Sequence, residues 1–199
     1  FAQFHISPNV KEREYLTEDE IRTVMTHEFE NLSLAFVRDL FVFACFTALS
    51  FVDMKELTTD EIVEINGEKW IIGKRHKTDV PFQVKLLDIP LQIIERYKHL
   101  SKGKLVFGEI NYWTMCKQLK KVIKECGIEK QISYHCARYT FGTLALTKGM
   151  PIESVSRVLG HTNIITTQIY AKITTQKLDN DLTMFGNKLN KAFNDVSMI

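Results

Sequence analysis

The stretch SYHCARYTFGTLAL sets His135 and Arg138 three residues apart, just ahead of an apolar run. On a helix that spacing puts both side chains on one face. A guanidinium is planar, keeps its proton and offers a fork that matches two phosphate oxygens, so an arginine beside an imidazole suits a phosphate. A solvated surface pair has the same spacing. Downstream, LGHTNIITTQIY carries His161 after a helix-stopping glycine, with Tyr170 nine residues on. Nine residues turn a helix by about half a circle over ~14 Å, so these two cannot share a face of one continuous helix. His161 is therefore expected in the turn and Tyr170 farther along the next helix. There Tyr170 flanks a stripe of Ile165, Ile169 and Ile173 that reads as buried. A tyrosine in that place is a half-buried core residue or a nucleophile. Upstream, KRHKTDVPFQVKL places Lys77 at a reversal between two strands. A lysine there is solvated, reaches into a nucleic-acid groove, or donates a proton.

The elements that must position these groups are legible in outline. Thr17 with Glu20 three residues on is a capping box, so YLTEDEIRTVM opens a helix. A second helix covers about Ser33 to Leu49. Asn66-Gly67 is a hairpin turn between β-favouring runs, and a second reversal near Lys77–Asp79 gives about three short antiparallel strands. After Pro90 the chain is helical. LQIIERYKHL and NYWTMCKQLKKVIKECG come first, the latter closed by Gly127, and YHCARYTFGTLALTKG follows. Pro151 suits a first helical position and Gly160 a stop. Thr162 or Asn163 caps the next helix, and Lys177 to Phe193 form an amphipathic tail.

The 199 residues hold 26 Lys and Arg against 24 Asp and Glu, so bulk charge does not announce nucleic acid and any such binding rests on local patches. The cysteines Cys45, Cys116, Cys126 and Cys136 are scattered and form no C-x-x-C pair. Neither a zinc site nor a disulfide framework is expected, and the setting reads as reduced and cytosolic. The longest apolar stretch, Leu34 to Phe51, carries Arg38 and Asp39 near its start, which suits a buried core helix better than a membrane span. The first residue is Phe1 rather than Met, so a longer protein with domains upstream is expected, and no signal peptide is visible.

A lysine on a hairpin, then H-x-x-R, L-G-H and tyrosine come in one order. In that order they resemble the catalytic domain of the tyrosine recombinases, the phage and conjugative-transposon integrases. The resemblance runs from about Tyr15 to Phe193, and HCARYTFGTLAL and LGHTNIITTQIY are its most specific parts. It implies an α+β fold, mainly α-helical with a small three-stranded antiparallel sheet, the core of a DNA breaking-rejoining enzyme. Residues 1–15 would be a lead-in and 16–199 the catalytic domain with its C-terminal helix, the DNA-binding domains lying upstream. Tyr170 would be the nucleophile, Arg138 the second active-site arginine, and His135 and His161 the paired histidines. Lys77 would be the β-hairpin lysine, preferred to Lys74 because KTDVPFQVKL has the family's spacing from K-T to the end of the next strand.

One departure stands out. The family usually has arginine in a T-G-L-R turn after the long apolar helix, and here TALS gives Ser50. Serine offers a hydrogen bond and no charge. Either the enzyme is weakened or another cation substitutes, and Arg38 and Arg75 are the two choices. Arg38 lies twelve residues from Ser50, about 18 Å along a helix, and pairing with Asp39 explains it equally well.

The resemblance further implies a covalent 3′-phosphotyrosyl intermediate, no metal, ATP or other cofactor, and double-stranded DNA as partner. It implies a homotetramer on two duplexes, no membrane, and a cytoplasmic, nucleoid-associated protein. Lys117, Lys120, Lys121 and Lys124 make one positive helix face for the DNA backbone or for solvent. The tail docks on a neighbouring protomer or on its own domain. PIESVSRVLGHTNIITTQIY also scans as a helix-turn-helix, which would make the chain a DNA-binding regulator. The same residues also suit a recombinase relative that binds DNA without cutting it, or a topoisomerase of related chemistry.

Overall fold

The structure is a computed structural model that describes residues 14–170 and 175–194. Its axis is α2 (Leu32–Thr47), a helix apolar on every side and therefore enclosed, with Leu40, Phe41, Phe43 and Ala44 buried. Around it pack α1 (Glu18–Thr26), α4 (Asp88–Tyr97), α5 (Tyr112–Glu125) and α6 (Cys136–Thr147). The capping box of α1 forms: the Glu20 amide donates to Thr17 Oγ1, and Glu20 Oε2 accepts from the Thr17 amide at 2.7 Å.

Arg38 and Asp39 inside α2 have a structural use. Arg38 Nη1 donates to the carbonyls of Met25 and His27, each at 2.9 Å, and so satisfies the exit of α1. Asp39 pairs with Arg38 and accepts from Arg96 and the Tyr97 hydroxyl, both at 2.7 Å.

α2 ends where Ala48 takes the left-handed conformation, φ 56°. Ser50 then caps the short α3 (Phe51–Lys55). The sheet β1 (Ile62–Ile65), β2 (Glu68–Lys74), β3 (Pro81–Lys85) is antiparallel in that order. Asn66 and Gly67, both at positive φ, make its first turn. Ile71, opposite Val84, and Phe82 bury one face of the sheet.

α7 (Ile152–Leu159), α8 (Ile165–Gln168) and α9 (Thr175–Ala192) are the remaining helices among the described residues. α7 starts one residue later than the sequence suggests, with Pro151 just outside it. A second, smaller core joins Ala48, Tyr139, Leu146, Val155, Leu159 and Tyr170. The isoleucine stripe is a correction: Ile165 and Ile169 are 63% and 50% exposed, because α8 is one turn long and turns Thr167 inward instead. Ile173 lies outside the described residues. Among the described residues, no helix is long and apolar enough to cross a membrane.

Candidate active site

The C-terminal end of α7 organises the site. A helix end leaves carbonyls without intrahelical partners, and it is the negative end of the helix dipole. Gly160, at φ 63°, reverses the chain there, and the His161 amide returns to the Ser156 carbonyl at 3.0 Å. The Gly160 amide takes the Arg157 carbonyl, and the last two carbonyls of the helix are taken by arginines. Arg75 Nη2 donates to Val158 O at 2.6 Å, and Arg138 Nη2 donates to Leu159 O at 2.7 Å. Gly160 is needed for a second reason: a Cβ there would lie 2.8 Å from Arg75 Nε.

Arg138 comes from the first turn of α6 and is buried. Its other arm donates to Ala48 O at 2.6 Å, so it ties the turn after α2 to the end of α7. Burial first, then repulsion from Arg75, brings its pKa down to about 10, which leaves it charged at neutral pH.

Arg75 follows β2 and is also buried. Its Nη1 meets Asp53 Oδ2 at 2.8 Å, and its guanidinium lies 4.0 Å from the centre of the Phe82 ring. Burial lowers its pKa and Asp53 raises it in part. Burial pushes Asp53 upward, but the His76 amide, Arg75 and Ser50 outweigh that and hold it below the ordinary carboxylate range. Ser50 Oγ donates to the same Asp53 oxygen at 2.8 Å. The hairpin thus delivers a guanidinium to the carboxylate that Ser50 caps.

Tyr170 is 6% exposed. Its ring lies on the backbone of α6 at Gly142, where a Cβ would come within 2.8 Å of the ring carbon Cγ. The Tyr139 ring lies 5.1 Å away, and the His161 ring is stacked with it, centroids 6.1 Å apart and planes at 10°. The charge of Arg138 acts on Tyr170 and on His161. His161 Nδ1 lies 2.9 Å from Thr167 Oγ1. Burial, then Arg138 and Arg75, lower the His161 pKa to about 4.

The structure therefore brings Arg138, His161 and Tyr170 together and adds Arg75. His135 is exposed at the start of α6, its ring 5.2 Å from Tyr139. Lys77 is exposed in the β2–β3 turn, and Lys74, also exposed, lies 3.9 Å from Asp79. Arg38 is not brought to the cluster, since its partners are the carbonyls at the end of α1. Lys117, Lys120, Lys121 and Lys124 are exposed on α5, opposite its buried face of Met115, Leu119, Val122 and Ile123. Sequence reasoning missed Asp53, which reads as an ordinary helix residue, and Thr167. The signal for Asp53 was its place three residues after Ser50, a capping-box spacing.

Two buried guanidiniums stand against one buried carboxylate, and among the described residues Arg138 makes no ion pair. With His161 neutral, the cluster keeps one positive charge, which fits a singly charged anion.

Residues 14–177 match the Phage integrase family. The tyrosine recombinase XerD of Listeria monocytogenes is 44% identical over 146 residues, which cover 66% of this chain and 48% of that protein. A tyrosine recombinase of Thermosipho africanus is 28% identical over 172 residues, covering 82% and 59%. The chain thus spans about half the length of the curated relatives it matches. The XerH site-specific recombinase in a post-cleavage complex with its difH substrate superposes with a TM-score of 0.70 at 20% identity, over 88% of this chain and 54% of that one. The Tn1549 transposon integrase in complex with a circular intermediate DNA gives 0.69 at 16%, over 86% and 65%. At these identities the superpositions show a shared fold. With the family match extending over most of its residues, the chain belongs to the phage integrase family of tyrosine recombinases.

Proposed function

We propose that this chain is the catalytic domain, residues 16–199, of a site-specific DNA recombinase that cuts and rejoins double-stranded DNA through tyrosine. The observation that carries this is the convergence of Arg138 and Arg75 on neighbouring carbonyls of α7, beside His161 and Tyr170. The residual positive charge suits the single negative charge of a phosphodiester, and the guanidinium forks suit its non-bridging oxygens.

In this reading Tyr170 Oη attacks the phosphorus, the bond to the 5′-oxygen breaks, and a 3′-phosphotyrosyl link keeps the bond energy for rejoining. A phenol of ordinary pKa ~10 must lose its proton as it attacks. His161, with its pKa of about 4, is a poor base and serves as a neutral hydrogen-bond donor. The exposed His135 is the imidazole that takes the proton. Lys77 gives a proton to the departing 5′-oxygen. Arg138 and Arg75 stabilise the charge that builds on the phosphorane, Arg75 supplying the cation that Ser50 does not. The α5 lysines hold the DNA backbone without reading sequence. Trapping on a duplex nicked beside the cleavage site tests the reading, because loss of the short fragment leaves the covalent complex in place.

Exchange between two duplexes requires four protomers. α9 exposes Leu178, Leu182, Phe185 and Leu189 at i, i+4, i+7 and i+11, one apolar stripe. A groove of about 470 Å³ lies between α1, α2 and α6, lined by Ile21, Met25, Phe46, Leu144 and Met150 among others. Docking of α9 into this groove of the neighbouring protomer would cover both apolar surfaces and join the subunits of a homotetramer.

A further inference from the structure

Thr167 is bonded to two members of the site at once. Its hydroxyl lies 2.9 Å from His161 Nδ1, and its carbonyl accepts the Tyr170 amide at 3.1 Å. It is fully buried, while the adjacent Thr166 is exposed. α8, which carries it, is a single turn, so the hydroxyl and the carbonyl are held in one rigid unit. The imidazole and the phenol are thereby placed by the same residue, and their rings lie nearly parallel.

The direction of the Thr167–His161 bond follows from burial. A buried hydroxyl proton is costly to leave without an acceptor, and Nδ1 is an acceptor within reach. A neutral imidazole carries one N–H, and the bond made by one ring nitrogen decides where that proton sits. If Nδ1 accepts from Thr167, the proton stays on Nε2.

We propose that Thr167 is a positioning residue: its hydroxyl donates to His161 Nδ1, fixes the Nε2–H tautomer, and turns that N–H toward the phosphate held by Arg138 and Arg75. The inference rests on the reading of this cluster as a recombinase active site. A space-filling role makes a different forecast, because valine matches threonine in shape and lacks only the hydroxyl.

Two measurements on the full chain test it, with Thr167→Val and Thr167→Ser beside the natural protein. The first is the ¹⁵N NMR signature of His161 without DNA. The natural protein and Thr167→Ser should show Nδ1 unprotonated and Nε2 protonated, and Thr167→Val should lose that preference. The second is trapping on the nicked duplex. Thr167→Val should slow it by about 10- to 100-fold with DNA binding unchanged, and Thr167→Ser should restore most of the rate. Three results would overturn the proposal: a proton on Nδ1 in the natural protein, a tautomer indifferent to Thr167→Val, or trapping by Thr167→Val at the natural rate. If the natural protein shows the Nε2–H tautomer but traps no DNA, the recombinase reading fails instead, and a role of Thr167 in that reaction falls with it.

Discussion

Arg75 and Arg138 donate to consecutive carbonyls, Val158 and Leu159, at the end of α7. They come from a β-hairpin and from α6, 63 residues apart in sequence. One helix end thus gathers two cations that would otherwise repel, and Asp53 neutralises one of them. This places a second guanidinium at the turn where Ser50 stands.

Arg75→Gln should therefore lower the trapping rate by about 10²- to 10³-fold, the loss expected when one donor to a developing oxyanion is removed. Ser50→Arg in the Arg75→Gln background should recover part of that rate. Arg38→Ala should lower thermal stability, because it leaves the exit carbonyls of α1 without a donor, while the folded fraction still traps DNA. A normal rate in Arg75→Gln would remove Arg75 from the mechanism.

His161 should titrate near pH 4, well below its ordinary value of 6.5, because burial and then the charges of Arg138 and Arg75 disfavour the imidazolium. The folded protein then holds this ring neutral while the unfolded chain takes up the proton first. Its contribution to stability is full above about 6.5 and is lost as pH falls from there to about 4. An NMR titration checks the midpoint, and His161→Gln should flatten this part of the stability curve. A midpoint near 6.5 would contradict the electrostatics of the site.

Lys77 should act only on the departing oxygen. Lys77→Ala should cut an ordinary duplex slowly and cut one with a bridging 5′-sulfur at close to the natural rate, since a thiolate leaves without a proton. Comparing Lys74→Ala on both substrates decides between the two lysines. If sulfur rescues Lys74→Ala and not Lys77→Ala, the proton comes from Lys74.

The apolar stripe of α9 should govern assembly rather than binding. Leu182→Asp with Phe185→Asp should abolish four-protomer complexes on paired sites, read by analytical ultracentrifugation, and leave occupancy of a single site intact. Undiminished assembly would place the contact elsewhere.

Much of this fold is local and therefore legible in sequence. The Thr17–Glu20 box, the Asn66-Gly67 turn and the Gly160 stop each depend on neighbours within a few residues, and each forms. The order of His135, Arg138, His161 and Tyr170 is likewise a property of the chain. What sequence could not supply was distance across the fold. Arg75 meets Asp53 across 22 residues and Val158 across 83, so nothing near it in sequence marks it for burial. The helical period failed at Ile165 and Ile169 because α8 ends after one turn, and a period has no meaning over so short a helix. The same shortness lets His161 and Tyr170 stack although nine residues separate them.

The central claim is that Tyr170 becomes covalently joined to DNA at a phosphate held by this cluster. It is tested most directly by incubating the protein with a nicked duplex, digesting the product with protease and locating the DNA-linked peptide by mass spectrometry. The account predicts a phosphodiester-linked peptide that contains Tyr170, absent in Tyr170→Phe although that variant still binds the duplex. Linkage through any other residue, or an undiminished covalent complex in Tyr170→Phe, would contradict it.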